Sequence, residues 1–574
     1  MSILSEHAQE IATKRYFHEG EDWEEGLSQR VSYAVSQNEQ NKTKWEKIFM
    51  EEISDMRFIP GGRILRNAGL VKQSLLNCAC VPIKDNIESI GDAIRDSLVL
   101  WKYGAGIGIN FSALREKGRA LATSKGDSSG MLSFLLGIDG VAKLIETGGQ
   151  RRSGALGLLD VSHPEIFDFI NAKTVDGQLP YFNLSVGITE AFLRAVEDDK
   201  DWDLVFAGQT VKTVKAKELW NQILDNAIKH GCPGLINLDN MRKNNSYYFQ
   251  QIEACNLCGE IPLPGYGMCV LGSLNLTKFI INKNTNWKKL ETSIANAVRF
   301  LDNVIDINFF PLPETEVITK DSRRIGLGVM GLHDYLMAKG IRYGSEKSLV
   351  EIDKLFKFLR DTAYTTSIAL SAEKGSFPMF DRAAYSRSSF IRKLPAHLRL
   401  EIKEYGIRNC CMISAQPTGT TSLIADVSSG IEPIFSLAYR RDDRVSTGRY
   451  YIHPRLLEFL TSGEKVQPDF LVDAHTLTPE DHLEVQSTVQ RYCDNAVSKT
   501  INCPKDITKS KLSTILLEYI HDLKGVTIYV DESKEGQILN KVSEKELKEY
   551  IEKNNIITTM SEEDVKCATG ACEF

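Results

Sequence analysis

From residue 58 onward, short apolar runs alternate with glycine-rich turns and longer amphipathic segments, and this rhythm restricts the fold sharply. The runs at 77–83, 106–111, 155–161 and 183–188 are each about one strand long. Between them lie helical patterns such as 87–103 and 130–148. Strands that alternate with helices imply an α/β core containing parallel strands. Residues 1–57 have another texture, polar and helical with few turn signals, and the charged stretch 540–560 reads as a solvated helix followed by a short polar tail. The expected division is a helical N-terminal region (1–57), an α/β domain (58–540), and a C-terminal helix with tail (541–574).

Composition narrows the functional classes. Seventy-six acidic residues against 69 basic ones give a net charge of −7, which argues against a protein that coats nucleic acid. The charged N-terminus, Met1 to Lys14, does not read as a secretory signal, and no apolar run of about 18 residues predicts a membrane span. Twelve cysteines in such a chain read as intracellular thiols, so a cytoplasmic location is expected. Cys232, Cys493 and Cys503 read as small buried apolar residues, and the vicinal pair Cys410-Cys411 carries no evident function.

Four segments could carry chemistry. Asn256-Leu257-Cys258-Gly259-Glu260 puts an amide, a thiol and a carboxylate at spacings of two, with Cys269 eleven residues beyond Cys258. An extended segment would align all three groups on one face. A thiol can carry a radical, donate a hydrogen atom or close a disulfide, and a neighbouring carboxylate can move a proton. Gln416-Pro417-Thr418-Gly419-Thr420-Thr421-Ser422 offers backbone N–H groups and hydroxyls to an anion, but lacks the lysine of an ATPase phosphate loop. Gly148-Gly149-Gln150-Arg151-Arg152-Ser153-Gly154 is a basic loop suited to a nucleotide or phosphate contact, or to a simple exposed turn. Cys567 and Cys572 form a terminal pair with no second Cys or His pair nearby. A dithiol that exchanges with a buried disulfide fits them better than zinc, and no metal site is expected. The Gly104 to Gly108 run leads into a strand-like stretch, so close backbone packing explains it better than a dinucleotide site.

Taken in order, these segments resemble the catalytic chain of ribonucleotide reductases, most closely the class II, adenosylcobalamin-dependent kind. The resemblance rests on Phe58-Ile59-Pro60-Gly61-Gly62-Arg63, Asn77-Cys78, Gly149 to Gly154, Phe182-Asn183-Leu184-Ser185-Val186, Asn256 to Glu260, Cys269 with Gly272-Ser273-Leu274-Asn275-Leu276, Pro417 to Thr420, Ser428-Ser429-Gly430-Ile431-Glu432-Pro433 and Gly525 to Tyr529. It implies a ten-stranded α/β barrel with an internal finger loop. Cys258 then resembles the residue whose thiyl radical takes the 3′ hydrogen of the ribose, shielded from water inside the barrel. Cys78 and Cys269 resemble the pair that delivers reducing equivalents and closes a disulfide. Glu260 would accept the 3′-OH proton and Asn256 would bind the ribose oxygens. Asn77, Gly108, Pro417, Thr418, Gly419, Thr420 and Thr421 are the implied substrate contacts. Cys567 and Cys572 are the implied redox tail, served by a thioredoxin- or glutaredoxin-type reductant.

The resemblance also implies regulation. Asp85, Ile87 and Arg115 stand where family members bind a deoxyribonucleotide or ATP effector. Gln150, Arg151 and Arg152 lie on the loop that passes effector identity to the substrate, and a homodimer is the default assembly. Only about 55 residues precede Phe58, without the pattern of the family's nucleotide-binding cone, so no overall on/off site is expected. Class I chains receive their radical from a metal-containing second subunit through paired tyrosines. Here Tyr529 is followed by Val530, which favours adenosylcobalamin, whereas Leu257 is the residue class I chains usually show. A class I large subunit and a catalytically silent nucleotide-binding protein stand as alternatives. Diphosphates are the expected substrates by family analogy. Cys80 and Cys255 are additional thiols near the site, and Asp426 stands where the family commonly has Gly.

Overall fold

The computed structural model describes residues 3–121, 125–147, 151–175, 177–442, 447–462, 466–531, 539–542 and 544–553. Ten strands make one sheet: β1 (Phe58–Pro60), β2 (Cys78–Cys80), β3 (Gly106–Asn110), β4 (Ala155–Asp160), β5 (Phe182–Ile188), β6 (Gly234–Asn237), β7 (Met268–Asn275), β8 (Ile325–Met330), β9 (Thr500–Cys503) and β10 (Gly525–Val530). The four apolar runs singled out in the sequence are β2 to β5. Strands β2 to β6 are parallel, each to the next. Strand β8 runs parallel to β7, and β9 parallel to β10. The two sets meet antiparallel at β2–β7 and at β6–β10, while β1 lies antiparallel along the later part of β7.

The ladder closes through the segment 413–415. Parallel bridges join Leu327 to Ile413 and Ala415 to Val497, and Val497 leads directly into β9. Hydrogen bonds from Leu327 N–H to the Met412 carbonyl (2.7 Å) and from Ala415 N–H to the Ala496 carbonyl (3.1 Å) carry the pairing across. Asp494 pins this seam, its carboxylate accepting the backbone N–H groups of Met412 and Ile413, each at 2.8 Å. The result is a ten-stranded α/β barrel whose walls are wrapped by helices. Every residue of β7 and β8 is buried, as expected for strands covered on both faces.

Helix α1 (Glu6–Arg15) is capped by Ser5, whose side chain accepts the N–H of Ala8. Helix α2 (Ile87–Lys102) starts where Asn86 Oδ1 accepts the N–H of Ser89 at 2.8 Å. Helix α3 (Met131–Ala142) stops short of the 130–148 pattern, because Glu146–Thr147 pairs instead with Arg151–Arg152 in a short hairpin. The N-terminal region is knitted to helix α4 (Trp287–Ile307). Arg299 and Lys374 both bind Glu39, at 2.6 and 2.8 Å, and Ser293 donates to Glu52 at 2.7 Å. Burial raises the Glu39 carboxyl, but hydrogen bonds from Arg299, Lys374 and Asn303 outweigh it and hold the group at about 2. No helix among the described residues is long and apolar enough to cross a membrane.

Candidate active site

The finger is a hairpin of Ala254–Cys255 and Pro262–Leu263. Its loop is closed by Asn256 N–H to the Ile261 carbonyl (3.0 Å) and Ile261 N–H to Asn256 Oδ1 (2.9 Å). Gly259 sits at its centre with φ of +85°, a conformation that glycine adopts without strain. Asn256 to Glu260 is therefore a tight turn rather than an extended run. The single shared face that the spacing suggests does not form. Cys258 is exposed, while Asn256 and Glu260 are buried.

Glycines let the finger lie against the wall. A Cβ on Gly108 would stand 1.8 Å from the Cys255 carbonyl oxygen, so only a hydrogen fits there. Gly108, expected at the substrate, lines neither of the two cavities described below and lies under the finger instead. The Leu257 side chain rests on two more glycines, with atoms 3.2 Å from the Cβ position of Gly106 and 3.0 Å from that of Gly154. From the opposite wall, Ala496 N–H donates to the Glu260 carbonyl at 2.8 Å.

Beneath the loop lies a thiol cluster. Cys78 and Cys269 are register partners on β2 and β7, and both are free. Burial, the hydrogen bond with Cys78 and its negative charge push the Cys269 thiol well above the usual range. Asn256 Nδ2 donates to Cys78 Sγ at 3.3 Å, which ties the finger to this pair. Cys80 and Cys255 are fully buried, and burial holds both thiols far up in pKa. Glu260 is 1% exposed. Burial pushes its carboxyl up to about 7, against the pull of hydrogen bonds from its own backbone and Asn256. Its Oε2 atom has no hydrogen-bond partner among the described residues. A buried acceptor of that kind is satisfied at little cost by a ligand hydroxyl.

Two cavities meet at Cys258. The larger, about 810 Å³, is lined by Asn183, Ser185, Leu257, Lys499 and Thr527 among others. The smaller, about 470 Å³, is lined by Asn77, Ser273 and the loop Pro417 to Thr421. Arg15, Arg63, Arg66 and Lys102 also line it, and no carboxylate does among the described residues. Cys258 borders both. The shielding expected around this sulfur is thus not supplied by the chain's own side chains, which leave it open toward both spaces.

The loop at 417–421 is braced by the segment that follows it. Thr418 N–H donates to Ser429 Oγ (3.0 Å), and Gly430 N–H donates to Thr418 Oγ1 (3.0 Å). Glu432 is held by Lys499 at 2.6 Å, and Gln416 Nε2 reaches the Gly272 carbonyl at 2.7 Å. Two separate sequence motifs are thus one piece of architecture.

Residues 76–530 match the family model for the ribonucleotide reductase barrel domain. This chain belongs to the ribonucleotide reductase family. It is 35% identical over 572 residues to the vitamin B12-dependent ribonucleoside-diphosphate reductase of Mycobacterium tuberculosis (strain CDC 1551 / Oshkosh), covering 95% of this chain and 79% of that protein. It is 35% identical over 564 residues to the protein of the same name from Thermoplasma acidophilum, covering 92% and 71%. Similarity to the ribonucleoside-diphosphate reductase large subunit of Danio rerio is lower, 27% over 503 residues, covering 78% and 63%.

Asp85 and Arg115, singled out for the family's effector site, pair at 2.8 Å, and Ile87 stands 68% exposed at the start of α2. Arg151–Arg152 forms one arm of the short hairpin. Gln150, Cys567 and Cys572 lie outside the described residues. Asp426, where the family commonly has Gly, has φ of +50°, which accounts for that preference. Its carboxyl is raised by burial and receives a hydrogen bond from Ser5. Sequence reasoning missed Arg15, Tyr16, Lys102 and Lys499. All four lie outside the recognisable motifs or at their margins, and only the folded chain brings them to the cavities.

Proposed function

We propose that this chain reduces ribonucleoside diphosphates to 2′-deoxyribonucleotides with adenosylcobalamin as its radical source. The observation that carries this reading is a finger that sets Cys258 at the meeting point of two cavities, carries a carboxyl held at about 7, and is tied through Asn256 to the buried Cys78–Cys269 pair.

The smaller cavity suits the substrate, since its cationic lining, without a carboxylate among the described residues, matches a diphosphate and includes Cys258. The larger cavity fits the adenosyl portion of the cofactor. Its lining mixes apolar groups with the Asn183, Ser185 and Thr527 side chains and opens onto the same sulfur. When bound, adenosylcobalamin supplies a radical through homolysis of its cobalt–carbon bond. Cys258, as a thiyl, takes the 3′ hydrogen atom of the ribose. Glu260, ionised near neutrality, accepts the 3′-OH proton through its unpartnered oxygen. Cys78 and Cys269 supply two electrons and two protons. The 2′-OH leaves as water, the pair becomes a disulfide, Cys258 returns the hydrogen atom to C3′, and Glu260 returns its proton to the 3′ oxygen. Asn256, bonded to Cys78, orients that thiol and the ribose oxygens.

Cys567 and Cys572 then exchange with the disulfide and pass the oxidation to a thioredoxin- or glutaredoxin-type reductant. The Asp85–Arg115 pair with Ile87 forms the effector contact, Gln150 to Arg152 links it to substrate, and the chain acts as a homodimer. Val530 follows Tyr529 and is 3% exposed, so the second position of a tyrosine relay is filled by a buried aliphatic group. That supports the cobalamin reading over a class I large subunit, which Leu257 favours. The test is incubation of purified chain with a ribonucleoside diphosphate, adenosylcobalamin and a small dithiol. Formation of the deoxyribonucleotide is expected. Activity that appears only with a metal-containing partner chain would establish the class I reading.

A further inference from the structure

The N-terminal helix ends at the wall of the smaller cavity. Tyr16, the residue after α1, is 6% exposed, and its hydroxyl hydrogen-bonds the Thr420 hydroxyl on the 417–421 loop. Gly62 makes room for it, since a Cβ there would lie 3.0 Å from the Tyr16 oxygen and 3.1 Å from its ring. The other end of α1 is fastened to the same region, because its cap Ser5 bonds Asp426, two residues beyond the short helix Gly419–Ile424. Arg15 lines the cavity beside Arg66, whose Nη1 donates to the Phe17 carbonyl at 2.9 Å. An arginine beside a hydroxyl-rich loop, in a space bordered among the described residues by four cations and no carboxylate, is the chemistry that recognises a phosphate dianion.

We propose that α1 is part of the substrate site. Tyr16 positions Thr420, and Arg15 takes up the terminal phosphate of a nucleoside diphosphate. This rests on the reductase reading for the identity of the ligand, but not for its charge. It makes the N-terminal region a source of substrate affinity and of selectivity for a diphosphate over a monophosphate.

The test compares the full chain with Tyr16→Phe and Arg15→Ala. Calorimetric binding of cytidine diphosphate and cytidine monophosphate is measured beside steady-state turnover. Tyr16→Phe keeps the packed ring and removes only the hydroxyl. Arg15→Ala is expected to weaken diphosphate binding about tenfold or more, the loss of one charge-assisted hydrogen bond, and to leave monophosphate binding within about twofold. Tyr16→Phe is expected to raise KM more than it lowers kcat. Arg15→Lys should recover part of the diphosphate affinity. Equal losses for diphosphate and monophosphate, or no change in either, would overturn the proposal. Absence of turnover in the wild-type chain would count against the reductase reading alone, because the binding comparison needs no chemistry.

Discussion

Replacing Gly108 by alanine tests how the finger is held. The added Cβ would lie 1.8 Å from the Cys255 carbonyl oxygen, about 1.2 Å inside the 3.0 Å below which β-carbon contacts essentially never occur. The opposing atom is backbone, so no rotamer change relieves the contact. Either β3 or the finger must move by about 1 Å. Overpacking of this sort costs about 1–3 kcal/mol, which a chain of this size survives folded. Catalysis is more sensitive, since a misplacement of about 1 Å at reacting groups costs about a hundredfold in rate. Cys255 is three residues from Cys258, and Asn256 links the finger to Cys78. Gly108→Ala should therefore retain its circular dichroism spectrum and a cooperative melt, bind substrate, and lose about a hundredfold in kcat. Full turnover by a folded Gly108→Ala chain would refute the idea that this contact sets the position of Cys258.

The neighbouring glycine behaves differently. Gly154→Ala meets only the end of the Leu257 side chain, at 3.0 Å, so a loss of about threefold in kcat is expected, and Leu257→Ala in the same chain should restore it. The Glu260 carboxyl, held at about 7, makes turnover rise with pH through that value, and Glu260→Gln should abolish this limb of the profile. Stability runs the other way. A carboxyl raised from 4.5 to about 7 on folding stabilises the folded chain at low pH, and that contribution is lost as pH rises through this window. Chemical denaturation should therefore show Glu260→Gln gaining up to about 3 kcal/mol on the wild type between pH 4.5 and 8. Cys567→Ser with Cys572→Ser should give about one product per chain and then stall with a thioredoxin-type reductant, with a small dithiol restoring turnover. Repeated turnover with thioredoxin alone would contradict the shuttle.

Much of the barrel was legible because parallel buried strands leave short apolar runs. The run 155–161 is β4 but for its last residue, whereas 77–83 keeps only Cys78–Cys80 as β2. The seam at 413–415 was not legible. It is held by single bridges and by Asp494 from a distant turn, neither of which leaves a local pattern. At the site, Cys78 and Cys269 were readable as a pair through the family motifs, and β2–β7 registration brings them opposite each other. Whether Asn256 to Glu260 runs extended or turns could not be read from spacing, which carries no information about the φ of Gly259. The helical pattern at 130–148 overshoots the helix because a two-residue strand, Glu146–Thr147, is too short to interrupt an apolar pattern. The part played by α1 was not legible, since the spatial partners of Tyr16 and Ser5, Thr420 and Asp426, lie some four hundred residues away.

In the proposed mechanism one sulfur, that of Cys258, starts the chemistry. The direct measurement is freeze-quench electron paramagnetic resonance with product analysis, on wild type and Cys258→Ala, each mixed with adenosylcobalamin, ribonucleoside diphosphate and dithiol. A thiyl-coupled signal and deoxyribonucleotide are expected in the wild type. Cys258→Ala is expected to bind substrate and give neither signal nor product. Deoxyribonucleotide formed by Cys258→Ala at the wild-type rate would contradict this mechanism.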